Sequence, residues 1–70
     1  MNDRDAFRAA LGAEIRRLRE KKQLSRSELA RAVGCSWQQL NDYENGFTEP
    51  TAYRLEQLAA SLGVKHIKAR

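Results

Sequence analysis

Residues 25–46 read SRSELARAVGCSWQQLNDYENG, and they are the most informative part of the chain because they contain two helix starts in close succession. Ser25 and Glu28 have the spacing of a capping box, in which the serine hydroxyl accepts from the Glu28 amide and the carboxylate accepts from the Ser25 amide. Ser36 and Gln39 repeat this spacing further along the chain. The stretch therefore predicts two short helices, one directly after the other.

The two predicted helices are separated by a very short turn. Gly34 readily adopts the left-handed conformation that ends a helix, and Asn45 with Gly46 supplies a left-handed stop for the second one. The apolar residues at helical spacing are Leu29, Ala30 and Val33 in the first, and Leu40 and Tyr43 in the second. This arrangement predicts a helix-turn-helix unit whose second helix stands out from the domain.

Amphipathic helices flank this unit on both sides. The first helix of the chain is predicted from about Asp5 to Lys22, and the fourth begins at the N-cap Thr51 and ends at Gly63. Their apolar stripes are Phe7, Leu11, Ile15 and Leu18 in the first and Leu55, Leu58, Ala59 and Leu62 in the fourth. Gly12 weakens the first helix by roughly 1 kcal/mol relative to alanine, so residues 1–10 are interpreted as an extension of a shorter core helix.

The predicted fold class is all-α, a compact four- to five-helix bundle in which the second and third helices form the helix-turn-helix. Seventy residues support one modest hydrophobic core, so residues 1–70 are predicted to form a single domain. Its core spans about residues 11–64, with the N-terminal extension at 1–10 and a basic C-terminal tail at 65–70. No period-two alternation of apolar residues predicts a strand.

The charge favours a polyanionic partner, because thirteen lysines and arginines against nine aspartates and glutamates give a net charge of +4. Nucleic acid and anionic membrane surfaces are both such partners. The cations concentrate at residues 16–22 and in the tail, and none lies between Ala32 and Tyr53. Charge is therefore expected to flank a nucleic acid rather than line the third helix. In the tail, Val64 and Ile67 either begin a fifth turn that packs on a partner subunit or cover the core edge.

Other function classes lack the residues that they need. There is no bilayer-spanning apolar run and no secretory signal, so a soluble, cytoplasmic protein without a membrane partner is expected. The single cysteine Cys35 and the distant His66 make neither a disulfide nor a zinc set, and no catalytic neighbourhood or phosphate loop is present. We therefore predict no enzyme activity and no cofactor. Cys35 is interpreted as a small buried hydrophobe rather than a redox sensor.

Several spaced segments match a known pattern together. They are LSRSELA at 24–30, GCS at 34–36, YENG at 43–46, Pro50, and the run from Leu55 to Val64. From about Leu11 to Val64 the chain resembles the XRE-type helix-turn-helix domain of lambda repressor and Cro. The resemblance implies that the third helix is the recognition helix, which enters the major groove of DNA.

The outward side of the third helix supplies the predicted base readers, which are Gln38, Trp37, Asn41 and Asp42. A helical wheel places Gln38, Asn41, Asp42 and Asn45 opposite buried Leu40 and Tyr43. The Gln38 amide matches the N6 and N7 edge of adenine, and Asp42 is able to accept from cytosine N4 while repelling phosphate. Trp37 either presses on a thymine methyl or the sugar edge, or packs against the second helix. Asn41 contacts bases or backbone.

A second set of residues is predicted to contact the DNA backbone. Arg26 stands at the start of the second helix, where the family usually has Gln, and its charge suits a phosphate oxygen; a solvated arginine is the alternative. Asn45 and Thr48 match family positions that touch the backbone on the far side of the groove, and Asn45 is also a candidate left-handed cap. Ser25 and Gln39 complete the set.

The resemblance also implies an ion pair between Arg19 and Glu44 beneath the recognition helix. Glu44 lies beside Leu40 on the inward side of the wheel, and an inward carboxylate needs a bidentate partner such as arginine. Two solvated charges are the alternative.

The predicted function is sequence-specific binding of double-stranded DNA by a transcriptional regulator, a repressor that acts by operator occupancy. A homodimer on a near-palindromic site is expected, with recognition helices about 10 bp apart, because one small module buries too little DNA for tight selective binding. An antitoxin or a restriction-modification controller is an alternative within DNA binding. A helical protein-interaction module with Trp37, Phe47 and Tyr53 as an apolar patch is the alternative outside it.

Overall fold

The computed structural model describes residues 2–69, which fold into four α-helices. They are α1 (Asp3–Lys21), α2 (Arg26–Val33), α3 (Trp37–Glu44) and α4 (Ala52–Leu62). No strand forms within the described part of the chain, so the all-helical prediction agrees with the structure. α1 begins earlier than predicted because the Asn2 side chain caps it, accepting from the Asp5 amide at 2.8 Å.

Side-chain caps explain where α2 and α3 begin. The predicted capping box at Ser25 is present, since its hydroxyl accepts from the Glu28 amide at 3.0 Å and the Glu28 carboxylate accepts from the Ser25 amide at 2.8 Å. At Ser36 the hydroxyl accepts from the Gln39 amide at 3.0 Å, but no return bond from the Gln39 side chain forms within residues 2–69. The second predicted box is thus only half formed, because a neutral amide oxygen is a weaker acceptor than a carboxylate.

The end of α3 corrects a second detail of the sequence prediction. Asn45 has φ −93° and ψ 1°, so it is not a left-handed cap, whereas Gly46 has φ +74°. Glycine takes the left-handed conformation without a Cβ penalty, and Asn45 remains free to use its side chain. Asn45 Nδ2 donates to the Asn41 carbonyl at 2.9 Å, which also accepts from the Asn45 backbone amide at 3.0 Å.

The hydrophobic core lies where the four helices meet. Its most completely buried side chains are Leu11, Ile15, Leu29, Leu40 and Leu58, which come from all four helices. Burying one such side chain contributes about 1.5–3 kcal/mol, so each helix is fixed mainly by packing. Phe7, predicted as part of the apolar stripe of α1, remains 45% exposed, and the buried part of that stripe begins at Leu11.

α1 lies directly against the C-terminal end of α3 at Gly12. A Cβ atom at this position would stand 2.2 Å from the Tyr43 carbonyl oxygen and 2.7 Å from that of Glu44. Both distances are far below van der Waals contact, and both neighbours are backbone atoms. The helix weakness predicted for Gly12 is therefore linked to a close approach that only glycine permits.

The C-terminal tail covers one edge of the core. Residues 64–69 are not helical, and Val64, Ile67 and Ala69 pack partly buried against the core cluster. A fifth helix is therefore absent from the described residues, while Arg70 of the predicted basic tail lies outside them. Within residues 2–69, no helix combines the length and the apolar character that crossing a membrane requires.

Candidate nucleic-acid interface

Residues 34–36 join α2 to α3 in a short turn. Gly34 is left-handed with φ +76°, and the Cys35 amide donates back into the last turn of α2 at 3.0 Å. From α4, Arg54 Nη1 donates to the Val33 carbonyl at the end of α2. These bonds hold the end of α2, and with it the direction in which α3 leaves the turn.

The outer face of α3 comprises Trp37, Gln38, Asn41 and Asp42. Gln38 is exposed, Asn41 and Asp42 are half-buried, and Trp37 keeps 47% of its surface accessible. On the opposite side of the helix, Leu40, Tyr43 and Glu44 are buried. The structure thus separates the predicted base readers from the side of α3 that packs on the core.

A hydrogen bond orients the Gln38 amide. Gln38 Nε2 donates to Asp42 Oδ1 at 3.0 Å, one helical turn further on. Because an ionised carboxylate only accepts, this contact fixes which end of the amide faces Asp42. Gln38 retains its Oε1 acceptor and its second Nε2–H, and one donor beside one acceptor is what the adenine N6 and N7 edge requires.

The loop after α3 is tied to the helix by its backbone. The Phe47 amide donates to the Asp42 carbonyl at 2.9 Å, while the Phe47 side chain is 72% exposed. Thr48 is also exposed, and it borders an open depression beside α3. Four of the predicted contact residues, Gln38, Gln39, Asp42 and Thr48, line this depression together.

Beneath α3 lies a charge cluster formed by Arg19, Arg26 and Glu44, which we call the Glu44 cluster. Arg19 Nε donates to Glu44 Oε2 at 2.7 Å and Arg19 Nη2 donates to Oε1 at 3.1 Å, so the predicted contact between them is present and bidentate. Arg19 Nη1 also donates to the Leu24 carbonyl at 2.8 Å. The Glu44 side chain is only 1% exposed, which makes it a buried carboxylate.

Arg26 is the member of this cluster that sequence reasoning missed. Its Nε donates to Glu44 Oε1 at 3.0 Å, and its side chain is 26% exposed. Arg26 begins α2 and Glu44 ends α3, so a wheel of either helix alone carries no signal of their contact. Arg26 is therefore not the fully solvated arginine of the sequence alternative.

Carboxylates on α1 neutralise part of its positive charge. Arg17 Nε and Nη2 donate to the two Glu14 carboxylate oxygens at 2.8 and 2.7 Å, and these bonds raise the pKa of Arg17. Arg16 Nε donates to Glu20 at 3.5 Å on the exposed side. Lys21 and Lys22 are exposed at the end of the helix. α1 therefore carries exposed positive charge at its end, whereas α3 has no lysine or arginine.

Two further groups have shifted pKa values. Hydrogen bonds from the Ser25 amide and hydroxyl lower the pKa of Glu28, with a smaller contribution from Arg31. Burial raises the pKa of the Cys35 thiol, and Cys35 packs partly buried against the core as the predicted small hydrophobe. Across residues 2–69, no group of three or more His, Cys, Asp or Glu side chains is placed to hold a metal ion.

Known proteins with similar sequence or structure are regulators of one class. The sequence profile of the helix-turn-helix domain matches residues 10–68. An uncharacterized HTH-type transcriptional regulator of Sinorhizobium fredii is 38% identical over 62 residues, which are 89% of this chain and 80% of that protein.

Two solved structures give the same result. The restriction-modification controller protein C.AhdI from Aeromonas hydrophila has a TM-score of 0.85 at 27% identity, over 90% of this chain and 91% of that chain. The master regulator for biofilm formation SinR, solved in complex with DNA, has a TM-score of 0.73 at 34% identity, over 77% of this chain and 87% of that chain. The chain belongs to the helix-turn-helix family, and the XRE-type resemblance seen in the sequence is confirmed.

Proposed function

We propose that this chain is a cytoplasmic transcriptional regulator that binds a specific double-stranded DNA site and represses by occupying it. In this proposal α2 and α3 are the helix-turn-helix unit, and α3 is the recognition helix that lies in the major groove. Membership of the family and the DNA complex of SinR support the DNA-binding part of the proposal.

The observation that carries the proposal is the outer face of α3. It presents amide groups, an indole and one carboxylate, without any cation, above the buried Glu44. Amide groups are suited to base edges because they donate and accept side by side, and a face without cations lacks the groups that attract phosphates most strongly. A face of this composition is suited to choosing a sequence, while charge elsewhere supplies the attraction to DNA.

The base readers have distinct roles in this proposal. Gln38 pairs with adenine, since its tether to Asp42 leaves one acceptor and one donor available. Trp37 contacts a thymine methyl or the sugar edge, and Asn41 contacts a base or the backbone. Asp42 accepts from cytosine N4 or repels the wrong partner, because its charge opposes phosphate.

Backbone contacts flank these readers at both ends of the unit. Ser25 and Arg26 act at the start of α2, and Gln39 acts near the start of α3. Asn45 and Thr48 act in the segment that leaves α3, where both are exposed. Such contacts set the position of the protein on the duplex without reading its sequence.

We further propose that two copies of the chain bind a near-palindromic operator. One module of this size buries too little DNA surface for selective binding at physiological salt. Two recognition helices in successive major grooves require half-sites whose centres lie about 10 bp apart.

Selection of bound duplexes from a random-sequence pool tests the proposal. The expected result is one short near-palindromic site with this half-site spacing and an adenine in each half. The affinity for the selected site should fall steeply as salt is raised. Lysine and arginine side chains release salt cations from the phosphates when the protein binds, and a high salt concentration opposes this release. The same selection with the Gln38→Ala, Asn41→Ala double variant is the matched control, and it should enrich no site.

A pool without enrichment, together with binding that is indifferent to salt, would contradict the proposal. That outcome favours the protein-interaction module instead, since Phe47 and Tyr53 are exposed and Trp37 is half-exposed.

A restriction-modification controller is a second candidate. The observation that favours it is the likeness to C.AhdI, which extends over 91% of that chain. A controller would bind as a dimer at the promoter of its own gene. The position of the selected site in the source genome distinguishes this role, and the antitoxin role, from a general repressor.

A further inference from the structure

Two guanidinium groups share one buried carboxylate in the Glu44 cluster. Arg19 alone bonds both oxygens of Glu44, at 2.7 and 3.1 Å, and so already forms the bidentate pair that neutralises it. Arg26 adds a third donor at 3.0 Å and a second positive charge. Two positive charges against one negative charge leave this cluster with an excess of one positive charge.

The contacts of Arg26 divide its guanidinium into two parts. Its Nε is the atom that bonds Glu44, and within the described residues Nη1 and Nη2 have no hydrogen-bond partner. A guanidinium is planar, so a bond at Nε restricts the orientation of both terminal nitrogens. Arg26 is also the most exposed side chain of the cluster.

We infer that Glu44 is a positioning residue for DNA binding, which holds Arg26 by Nε so that Nη1 and Nη2 are set to bind one backbone phosphate. The inference rests on the proposed DNA-binding function and deepens it. A long side chain that must be ordered on binding weakens binding, whereas Arg26 is ordered before DNA arrives. The same guanidinium then donates through Nε to Glu44 within the protein and through Nη1 and Nη2 to a phosphate of the DNA.

Lysine is the variant that separates this arrangement from simple charge attraction. A lysine ammonium is one compact donor group, so it cannot bond Glu44 and a phosphate through separate nitrogens; a lysine that pairs with the buried Glu44 gives up the phosphate. Arg26→Lys keeps the net charge, while Arg26→Ala removes both functions. Glu44 keeps its bidentate bond to Arg19 in both variants, so both are expected to fold, which thermal melts check.

The experiment measures binding of the full chain to one random-sequence duplex over a series of salt concentrations. We expect Arg26→Lys and Arg26→Ala to lose affinity by a similar factor of about ten, the loss of a hydrogen bond to a charged group. Both should lower the slope of log affinity against log salt by about 1. Arg31→Lys, in an exposed arginine of the same helix, is the matched control and should leave affinity and slope unchanged.

Two results would overturn the inference while the proposed function stands. One is an Arg26→Lys variant with wild-type affinity and slope, which means that charge alone is sufficient. The other is an Arg26→Ala variant that binds as well as wild type. A wild-type chain without salt-dependent binding overturns the proposed function, and the inference with it.

Nitrogen-detected NMR of the arginine side chains gives a second, independent measurement. In the free protein, the Arg26 Nε–H signal should be protected from solvent exchange, as a bond to buried Glu44 requires. Addition of duplex should shift the Nη signals and leave Nε in place. An Arg26 Nε–H that exchanges freely before DNA is added would overturn the positioning role.

Discussion

The two sides of α3 are built from different chemistry. The inner side carries Leu40, Tyr43 and Glu44, which are buried and held by packing and by two arginines. The outer side carries Gln38, which donates to Asp42 one turn further along α3, and Asn41, whose Oδ1 accepts from Asn45 just after the helix. Packing and ion pairs thus fix the inner side of α3, whereas the outer side carries two amides, the Trp37 indole and the Asp42 carboxylate. Folding and sequence choice are therefore expected to respond to different substitutions.

The largest expected effect is the loss of the ion pair under α3. Breaking a buried pair strands the remaining charge and costs about 3–5 kcal/mol. Glu44→Gln leaves two guanidiniums without their carboxylate, so we expect it to lower the free energy of unfolding most. Arg19→Met should lower it less, because Arg26 still reaches Glu44. Denaturant melts measure both.

Additivity sharpens this prediction. The double variant Arg19→Met, Glu44→Gln should be less damaging than the sum of the two changes, since it strands fewer charges. The exposed pair Arg16 and Glu20, 3.5 Å apart, is the matched control and should cost at most about 1 kcal/mol. Single losses of that small size at Arg19 and Glu44, with simple additivity, would show that the inner side is not held by charge.

A methyl group at Gly12 should be the next largest change. Gly12→Ala improves helix propensity by about 1 kcal/mol, but its Cβ meets the carbonyls of Tyr43 and Glu44. We expect a net loss of roughly 1–3 kcal/mol in the free energy of unfolding, measured by denaturant melts. Gly34→Ala is a useful comparison, because its left-handed backbone is strained by a side chain although no atom stands within 4 Å. A Gly12→Ala variant more stable than wild type would refute the close approach.

On the outer side, Gln38→Ala should change recognition and not folding. The expected loss is roughly 1–3 kcal/mol on the selected operator and almost nothing on random duplex, with melts unchanged. Gln39→Ala, which removes a proposed backbone contact, should weaken binding to both duplexes equally. If Gln38→Ala weakened binding to the operator and to random duplex equally, Gln38 would not be a base reader. The outer side of α3 would then not differ from the inner side in the way proposed.

The smallest expected effect concerns pH and the start of α2. Hydrogen bonds from Ser25 lower the pKa of Glu28 in the folded chain below the ordinary value of a glutamate. Its ionised form therefore stabilises the fold above that value, and the contribution disappears as the pH falls through the lowered pKa. Melts of wild type and Glu28→Gln should differ at neutral pH and converge in acid. Glu56→Gln, a change at an exposed position on α4, is the matched control for the loss of one surface charge.

The sequence predicts well those features that depend on a few adjacent residues. The Ser25 box, the glycine ends of α2 and α4, and the leucines of α4 were predicted correctly, because each depends on spacing along one element. The half-formed box at Ser36 and the conformation of Asn45 were predicted wrongly. In each case the residue type permits the predicted geometry without requiring it, and at the end of α3 the adjacent Gly46 takes the left-handed conformation instead. The spacing of residues along the chain does not show which of two permitted local conformations forms.

Contacts between helices were the part that sequence patterns did not predict. Arg26 on Glu44 and Gly12 against α3 both depend on how two helices cross, which no single periodicity describes. Arg19 and Glu44 were paired only because the family resemblance places them opposite each other. The base and backbone contacts of the candidate site remain predictions that DNA binding has to test.

The close approach at Gly12 has a consequence for hydrogen exchange. An isolated helix of eight residues is unstable in water, so α3 persists only while it is packed. With α1 against its last carbonyls, local fraying of that end requires the two helices to separate, which is close to unfolding the whole domain. Amides in the last turn of α3 should therefore exchange with deuterium at nearly the rate set by global unfolding. A helix this resistant to opening would meet DNA as a rigid body.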